Sequence, residues 1–152
     1  LHCLFVGSIA DPEYAQRMRQ RAAETGIPET AYTFTGYEPN PTDLMRAMDI
    51  VIHASVDPEP FGIVLLEAMA VEKPLIASAA GAPREIVVEG ETGLLVRPED
   101  SEALAQAIER LLTNRHSAQR MAEAGHRRFR DNYTIRHTLA ALEGLYRELL
   151  PG

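Results

Sequence analysis

Residues 58–71 read PEPFGIVLLEAMAV, and between Pro60 and Val71 the chain carries one charge, that of Glu67. The run has no polar face such as a surface helix needs, so it predicts a buried helix over 61–71. A carboxylate inside a buried helix is costly unless it is neutralised, paired or hydrogen-bonded. Glu67 is therefore predicted to have a partner, which is either another side chain or a polar ligand.

A second carboxylate stands just before the predicted helix. Glu59 lies eight residues upstream of Glu67, beside Phe61 and Gly62. This order places one acid just before the N-terminus of the helix, next to backbone N–H groups that have no partner within the helix. The second acid follows about one turn into the helix. Because N–H groups at a helix N-terminus favour anions, such a site suits a polyol that is linked to a phosphate.

The flanking sequence alternates strands with helices. We predict strands at 2–6, 32–34, 49–53, 74–77 and 93–96, and helices at 12–25, 42–48, 61–71, 83–88, 101–112, 117–129 and 134–150. This alternation is typical of a parallel, doubly wound sheet with Rossmann-like architecture, and the last three helices form a helical tail. We expect residues 1–152 to form a single α/β domain.

Composition excludes several classes of protein. Of the 152 residues, 45% are hydrophobic and 24% are charged, as in ordinary globular domains. The formal net charge of −7 argues against non-specific binding of nucleic acid, which uses a basic surface. The single cysteine, Cys3, rules out a disulfide framework and fits a reducing compartment, so a cytoplasmic location is expected. No apolar stretch approaches the roughly 20 residues that span a membrane.

Doubly wound sheets bind their ligands beyond the carboxyl ends of the strands. In this chain the loops at those ends carry small, polar or glycine residues, and they lie at 7–8, 36–38, 54–61 and 78–83. This is the topology of a nucleotide site. Every α/β protein shares it, so the topology alone does not identify the ligand.

The ordered motifs of the chain resemble the C-terminal domain of the retaining GT-B glycosyltransferases of group one. The similarity runs nearly end to end, and the Glu-x7-Glu element with Pro-Phe-Gly inside it is its most specific single part. The motifs are FTGY at 34–37, LMRAMDIVIHAS at 44–55, EPFG at 59–62, EAMA at 67–70, KPLIA at 73–77, AGAPRE at 80–85 and GETGLLV at 90–96. The resemblance implies the fold of that domain and a part in carbohydrate biosynthesis.

The resemblance also implies roles near the transferred sugar. Glu59 matches the glutamate that contacts hydroxyls of this sugar, and it is the candidate catalytic residue. Phe61, Gly62 and Ile63 match the stretch whose backbone N–H groups meet the sugar and the diphosphate. The implied reaction moves a hexose from a UDP- or GDP-linked donor to an acceptor hydroxyl, with no cofactor and no metal.

Nucleotide contacts are implied at three further positions. Glu67 matches the second glutamate, which bonds the ribose hydroxyls and so explains a carboxylate within an apolar helix. Gly36 and Tyr37 match the loop that flanks the nucleobase. A nucleotide-sugar is accordingly the expected partner, and nucleic acid is not.

The sequence departs from the family pattern in places. The family's Gly-Gly pair is Gly81-Ala82 here, which predicts a stiffer loop. The family's first strand, its arginine and Lys-Gly pair that neutralise the diphosphate, and its N-terminal acceptor domain are absent from the sequence. If the family order holds, the absent strand belongs in the middle of the sheet, and an exposed strand edge would favour self-association. We expect these 152 residues alone to be inactive, and any membrane association to arise through the absent domain.

Simpler interpretations remain open for the individual residues. Glu67 could pair with an arginine in a buried ion pair, and Glu59 could be a loop acid that favours a helix start. Asp57 and Glu59 faintly resemble a metal-binding pair. His53 ends a strand near the site and could bond a ligand, although a core or rim histidine is the simpler interpretation.

Two other classes of function also remain open. One is a different enzyme on the same fold, such as a nucleotide-sugar epimerase or a phosphorylase. The other is a non-catalytic nucleotide-binding module.

Overall fold

The computed structural model describes residues 1–9 and 11–150. Backbone contacts divide the chain into two compact units, Leu1–Asp43 and Leu44–Gly152. Both units combine parallel strands with helices, which confirms the predicted α/β class. That residues 1–152 form a single domain stays a prediction.

The first unit contains a two-stranded parallel sheet. Strand β1 (Cys3–Val6) pairs with β2 (Tyr32–Gly36), and the connection holds helix α1 (Pro12–Glu24) and a 3-10 helix (Glu29–Ala31) that the sequence did not predict. Helix α1 begins where the carboxylate of Asp11 accepts hydrogen bonds from the first-turn amides.

The second unit contains a three-stranded parallel sheet. Its strands are β3 (Val51–His53), β4 (Leu75–Ser78) and β5 (Leu94–Val96), with β4 in the centre and fully buried. The helices of the remaining chain are α2 (Pro41–Ala47), which includes residues of both units, and then α3 (Ile63–Ala70), α4 (Pro83–Ile86), α5 (Ser101–Thr113), α6 (Arg115–Asn132) and α7 (Ile135–Leu149).

Helices cover this second sheet on both faces. Because side chains alternate along a strand, Leu75 of β4 packs into a cluster with Met69 of α3, whereas Ile76 packs into another with Leu111 of α5 and Met121 of α6. Helices on both faces are the architecture of a doubly wound sheet. This arrangement fixes the loops at the carboxyl ends of β3 and β4, where the candidate residues lie.

Helix α3 differs from the prediction at its start and in its burial. It begins at Ile63 rather than at 61, because Gly62 has φ +71° and cannot continue a right-handed helix. Leu65, Ala68 and Met69 are buried, but Ile63 is 64% exposed. The predicted burial on all sides is therefore wrong, because neighbouring elements cover only one face of α3.

Four strands keep an unpaired edge within the described residues. β1 and β2 pair only with each other, and β3 and β5 each pair only with β4. Ile52 in the middle of β3 is 41% exposed. An unpaired edge presents free N–H and C=O groups to other strands. Self-association through these edges stays a prediction.

Candidate functional site

The loop that carries Glu59 is anchored to the loop after β4. The Glu59 amide donates to the carbonyl of Ala80 over 3.1 Å, and the Ala82 amide donates to the carbonyl of Glu59 over 2.8 Å. Between these two bonds Gly81 has φ +77°, and a Cβ there would lie 2.3 Å from the Glu59 carbonyl oxygen. Only glycine allows this close approach, so Gly81 fixes the backbone position of Glu59.

Gly81→Ala tests how much this anchoring contributes. We expect it to reduce the free energy of unfolding by at least ~1 kcal/mol more than Gly90→Ala does, because overpacking typically costs about 1–3 kcal/mol. Gly90 is a matched control, since its φ is +73° and a Cβ there meets nothing within 4 Å. Denaturant unfolding of both variants measures the difference. Equal losses would show that the contact with Glu59 is unimportant.

The side chain of Glu59 turns back onto the start of α3. Its Oε1 atom accepts the amide N–H of Gly62 over 2.9 Å and that of Phe61 over 3.1 Å. These bonds from Gly62 and Phe61 lower the pKa of the Glu59 carboxyl below its ordinary 4.5; His53 acts in the same direction and desolvation opposes both. In this structure Glu59 therefore occupies two of the amides that, by the family resemblance, are expected to bind the nucleotide-sugar.

This lowered pKa predicts a pH-dependent stability. A carboxyl with a lower pKa in the folded state stabilises the fold above its unfolded pKa, and this stabilisation is lost as pH falls through the folded value. We expect Glu59→Gln to melt below wild type at neutral pH, and the gap to close as pH falls below 4.5. Melting curves over an acidic pH series measure it, with the exposed Glu148→Gln as control. A gap that persists unchanged into strong acid would contradict the expectation.

His53 lies against the other oxygen of the same carboxylate. Its Nε2 atom is 3.4 Å from Glu59 Oε2, and the two side chains are 15% and 25% exposed. The Nδ1 atom on the other side of the ring is buried and has no partner among the described residues. Sequence reasoning treated His53 as a core or rim residue and missed this contact. The available signal was its place at the end of a strand, six residues before Glu59.

Glu67 is half-buried, and its carboxylate has no polar partner among the described residues. No residue within 1–9 or 11–150 forms an ion pair or a hydrogen bond with its carboxylate, so the buried ion pair considered from the sequence is not seen there. Glu67 is one helical turn beyond Ile63, and residues four apart share one face of a helix. That face lies opposite Leu65, Ala68 and Met69, which are buried.

The start of α3 offers a further unpaired donor. No acceptor among the described residues contacts the amide N–H of Ile63. The first N–H groups of a helix have no partner within it, and they carry the positive end of the helix dipole. The unpaired amide of Ile63 and the unpaired carboxylate of Glu67 thus lie about one turn apart along α3 in the described part of the chain. This pair can hold a molecule with an anionic group and hydroxyl groups.

The remaining candidates belong to the first unit. Gly36 ends β2 with φ +75°, and Tyr37 after it is 77% exposed. Their predicted place beside a nucleobase stays a prediction.

Comparison with known families decides the class of the protein. The profile of the family described as "Glycosyl transferases group 1" matches residues 1–128, a range that includes every candidate site residue. The chain belongs to the group 1 glycosyl transferases. The resemblance inferred from the motifs is thereby confirmed.

Group 1 relatives include enzymes of several bacteria. The chain is 30% identical over 139 residues to the lipopolysaccharide core biosynthesis mannosyltransferase LpsB of Rhizobium meliloti (strain 1021), which covers 90% of the chain and 39% of LpsB. It is 37% identical over 129 residues to the D-inositol 3-phosphate glycosyltransferase of Stackebrandtia nassauensis, which covers 82% of the chain and 28% of that enzyme. The chain therefore spans well under half the length of these relatives.

Two solved structures of similar fold agree with this assignment. HepE of Anabaena in complex with UDP superposes with a TM-score of 0.89 at 28% identity, over 95% of the chain and 40% of HepE. The C-terminal domain of the group 1 protein LpcC from Francisella tularensis superposes with a TM-score of 0.74 at 31% identity, over 82% of the chain and 65% of that structure. The chain has the fold of a GT-B C-terminal domain.

The described residues contain neither a membrane-spanning helix nor a cluster of metal ligands. No helix within 1–9 or 11–150 is both long and apolar enough to cross a membrane. The same part of the chain holds no group of three or more histidine, cysteine, aspartate or glutamate side chains placed to bind a metal ion. The faint metal-binding pair at Asp57 and Glu59 thus gains no third ligand there.

Proposed function

We propose that this chain is the donor-binding half of a retaining glycosyltransferase, which moves a hexose from a nucleotide-sugar to an acceptor hydroxyl. One observation carries the proposal. Glu67 is a half-buried carboxylate without a hydrogen-bond or ion-pair partner in the described residues, about one turn from the unpaired amide of Ile63 at the start of α3. A buried or half-buried acid without a partner is costly, and ribose hydroxyls are the partner that this proposal supplies.

The proposed donor lies along the first turn of α3. Its ribose hydroxyls donate to Glu67, and its diphosphate accepts from the Ile63 amide. The amides of Phe61 and Gly62 join this contact when Glu59 releases them, and Glu59 then accepts from hydroxyls of the sugar. HepE, a relative of similar fold, was solved with UDP and with UDP-glucose, which supports a UDP-linked hexose as the first donor to test.

Catalysis in this proposal rests on electrostatic stabilisation. Negative charge grows on the diphosphate as the glycosidic bond breaks, and preorganised N–H groups stabilise such charge more in the transition state than in the ground state. The N-terminus of α3 supplies these groups together with the positive end of its dipole. No metal ion enters the proposed chemistry.

Product analysis tests the proposed reaction. The intact protein is incubated with UDP- and GDP-linked hexoses and a panel of hydroxyl acceptors. We expect acceptor-dependent release of nucleoside diphosphate and a product that keeps the anomeric configuration of the donor. Sugar isomerisation without an acceptor would indicate an epimerase, and release that requires inorganic phosphate would indicate a phosphorylase. Binding without any turnover would indicate a non-catalytic module, and each of these three results contradicts the proposal.

A further inference from the structure

We propose that His53 is the positioning residue that holds Glu59 ready for the donor sugar, an inference that rests on the proposed function. The two oxygens of the Glu59 carboxylate have different partners. Oε1 accepts the amides of Phe61 and Gly62, whereas the one polar partner of Oε2 within 1–9 and 11–150 is the Nε2 atom of His53 at 3.4 Å. His53 thus contacts the one oxygen that the helix does not bind.

The buried side of the His53 ring fixes which nitrogen carries the proton. Nδ1 has no exposed surface and no partner among the described residues. A proton on Nδ1 would create a buried, unpaired hydrogen-bond donor, which is costly, so Nε2 is the nitrogen that carries a proton. Nε2 is also the ring nitrogen that lies 3.4 Å from Glu59 Oε2. His53 is therefore placed to act as a hydrogen-bond donor to Glu59.

The contact between His53 and Glu59 becomes decisive when the nucleotide-sugar binds. A diphosphate that takes the amides of Phe61 and Gly62 displaces Oε1, because the same N–H groups cannot serve both anions. Within the described residues His53 is then the one remaining side-chain partner of the carboxylate. The present separation of 3.4 Å is long for a hydrogen bond, and contacts in catalytic sites commonly tighten once the substrate is bound.

The backbone on both sides of the pair is rigid enough for this role. His53 is the last residue of β3 and pairs in register with Ala77 of the buried strand β4. The Glu59 backbone is bonded on both sides to residues 80–82. Because both backbones are held in place, the Glu59 side chain is the part that can move. The hydrogen-bond donor of His53 then determines the position of Glu59 Oε2.

Three substitutions at His53 separate positioning from mere packing. His53→Leu removes the hydrogen-bond donor, and His53→Gln places an amide nitrogen at the position of Nε2. His53→Asn carries its amide nitrogen nearer the backbone, where it cannot reach Oε2. Misplacing a reacting group by about 1 Å can cost ~100-fold, so we expect kcat/KM for the nucleotide-sugar to fall about 10- to 100-fold in His53→Leu and His53→Asn. His53→Gln is expected to recover most of the activity.

Binding of the bare nucleotide is the readout that a structural role would change. We expect UDP and GDP to bind all three variants of the intact protein about as tightly as wild type, because neither nucleotide contains the sugar that Glu59 holds. His126→Leu is the matched control, since His126 contacts the carbonyl of Met69 at the other end of α3 over 3.1 Å. This variant is expected to lose stability while kcat/KM per folded molecule is unchanged.

Several outcomes would overturn the inference. Equal activity of His53→Leu and wild type, failure of His53→Gln to exceed His53→Asn, or parallel loss of UDP binding and turnover would each do so while leaving the proposed function intact. Absence of nucleotide binding and turnover in wild type would instead remove the proposed function. If His53→Leu does not fold, nitrogen-15 NMR of the histidine rings in wild type decides. A proton on Nε2 supports the inference, and a ring that carries its proton on Nδ1 alone contradicts it.

Discussion

Replacing Glu67 by glutamine is expected to weaken nucleotide binding to the intact protein at least tenfold. In the structure the Glu67 carboxylate has no partner within residues 1–9 and 11–150, so its hydrogen-bonding capacity is available to a ligand. A hydrogen bond to a charged group contributes about 1.5–3 kcal/mol, which corresponds to roughly a 10- to 150-fold change in affinity. Calorimetric titration of wild type and variant with UDP and GDP measures the change.

The control for Glu67 lies just beyond the other end of the same helix. Glu72 is an exposed glutamate, and we expect Glu72→Gln to bind nucleotide as wild type does. The fold of Glu67→Gln should be intact, since the change removes no hydrogen bond or ion pair between side chains of the described residues. Unchanged affinity with a lowered melting temperature would contradict the assignment and would make Glu67 a structural residue.

Replacing Glu59 by alanine is expected to reduce kcat at least ~100-fold while nucleoside diphosphate still binds. Loss of one group that stabilises a transition state typically costs about 10²- to 10³-fold in kcat. The structure adds a specific expectation for the diphosphate. Because the Glu59 carboxylate occupies the amides of Phe61 and Gly62, its removal frees them, and affinity for UDP or GDP should stay the same or rise.

Glu59→Gln sharpens this test. Its amide oxygen can still accept from Phe61 and Gly62 but carries no charge, so bare nucleotide should compete with it more easily than with the wild-type carboxylate. Steady-state kinetics and titration of both variants with UDP separate the two effects. Equal losses of nucleoside diphosphate binding and of turnover would contradict the separate roles of Glu59 and Glu67.

The acidic pair and its helix could be predicted because their signals are local. A single charge in a long apolar run marks Glu67, and the spacing of Pro, Phe and Gly after Glu59 marks the helix start. The error of two residues at that start has a local cause as well. Gly62 adopts a left-handed conformation, which could not be predicted from its position beside Phe61.

Contacts between distant segments could not be predicted in the same way. The contact between His53 and Glu59 depends on the path of the loop after β3, and the role of Gly81 depends on the approach of a separate loop to Glu59. At Ala82, in contrast to Gly81, the structure does not require glycine. The alanine in place of the family's second glycine has φ −51°, which any residue adopts, so this position does not require glycine.

A crystal structure of the intact protein with UDP or GDP tests the central claim most directly. We predict that the ribose hydroxyls lie within hydrogen-bonding distance of the Glu67 carboxylate and that a phosphate oxygen accepts the amide N–H of Ile63. A nucleotide bound away from α3, with Glu67 in contact with a cationic side chain of the protein, would contradict the account.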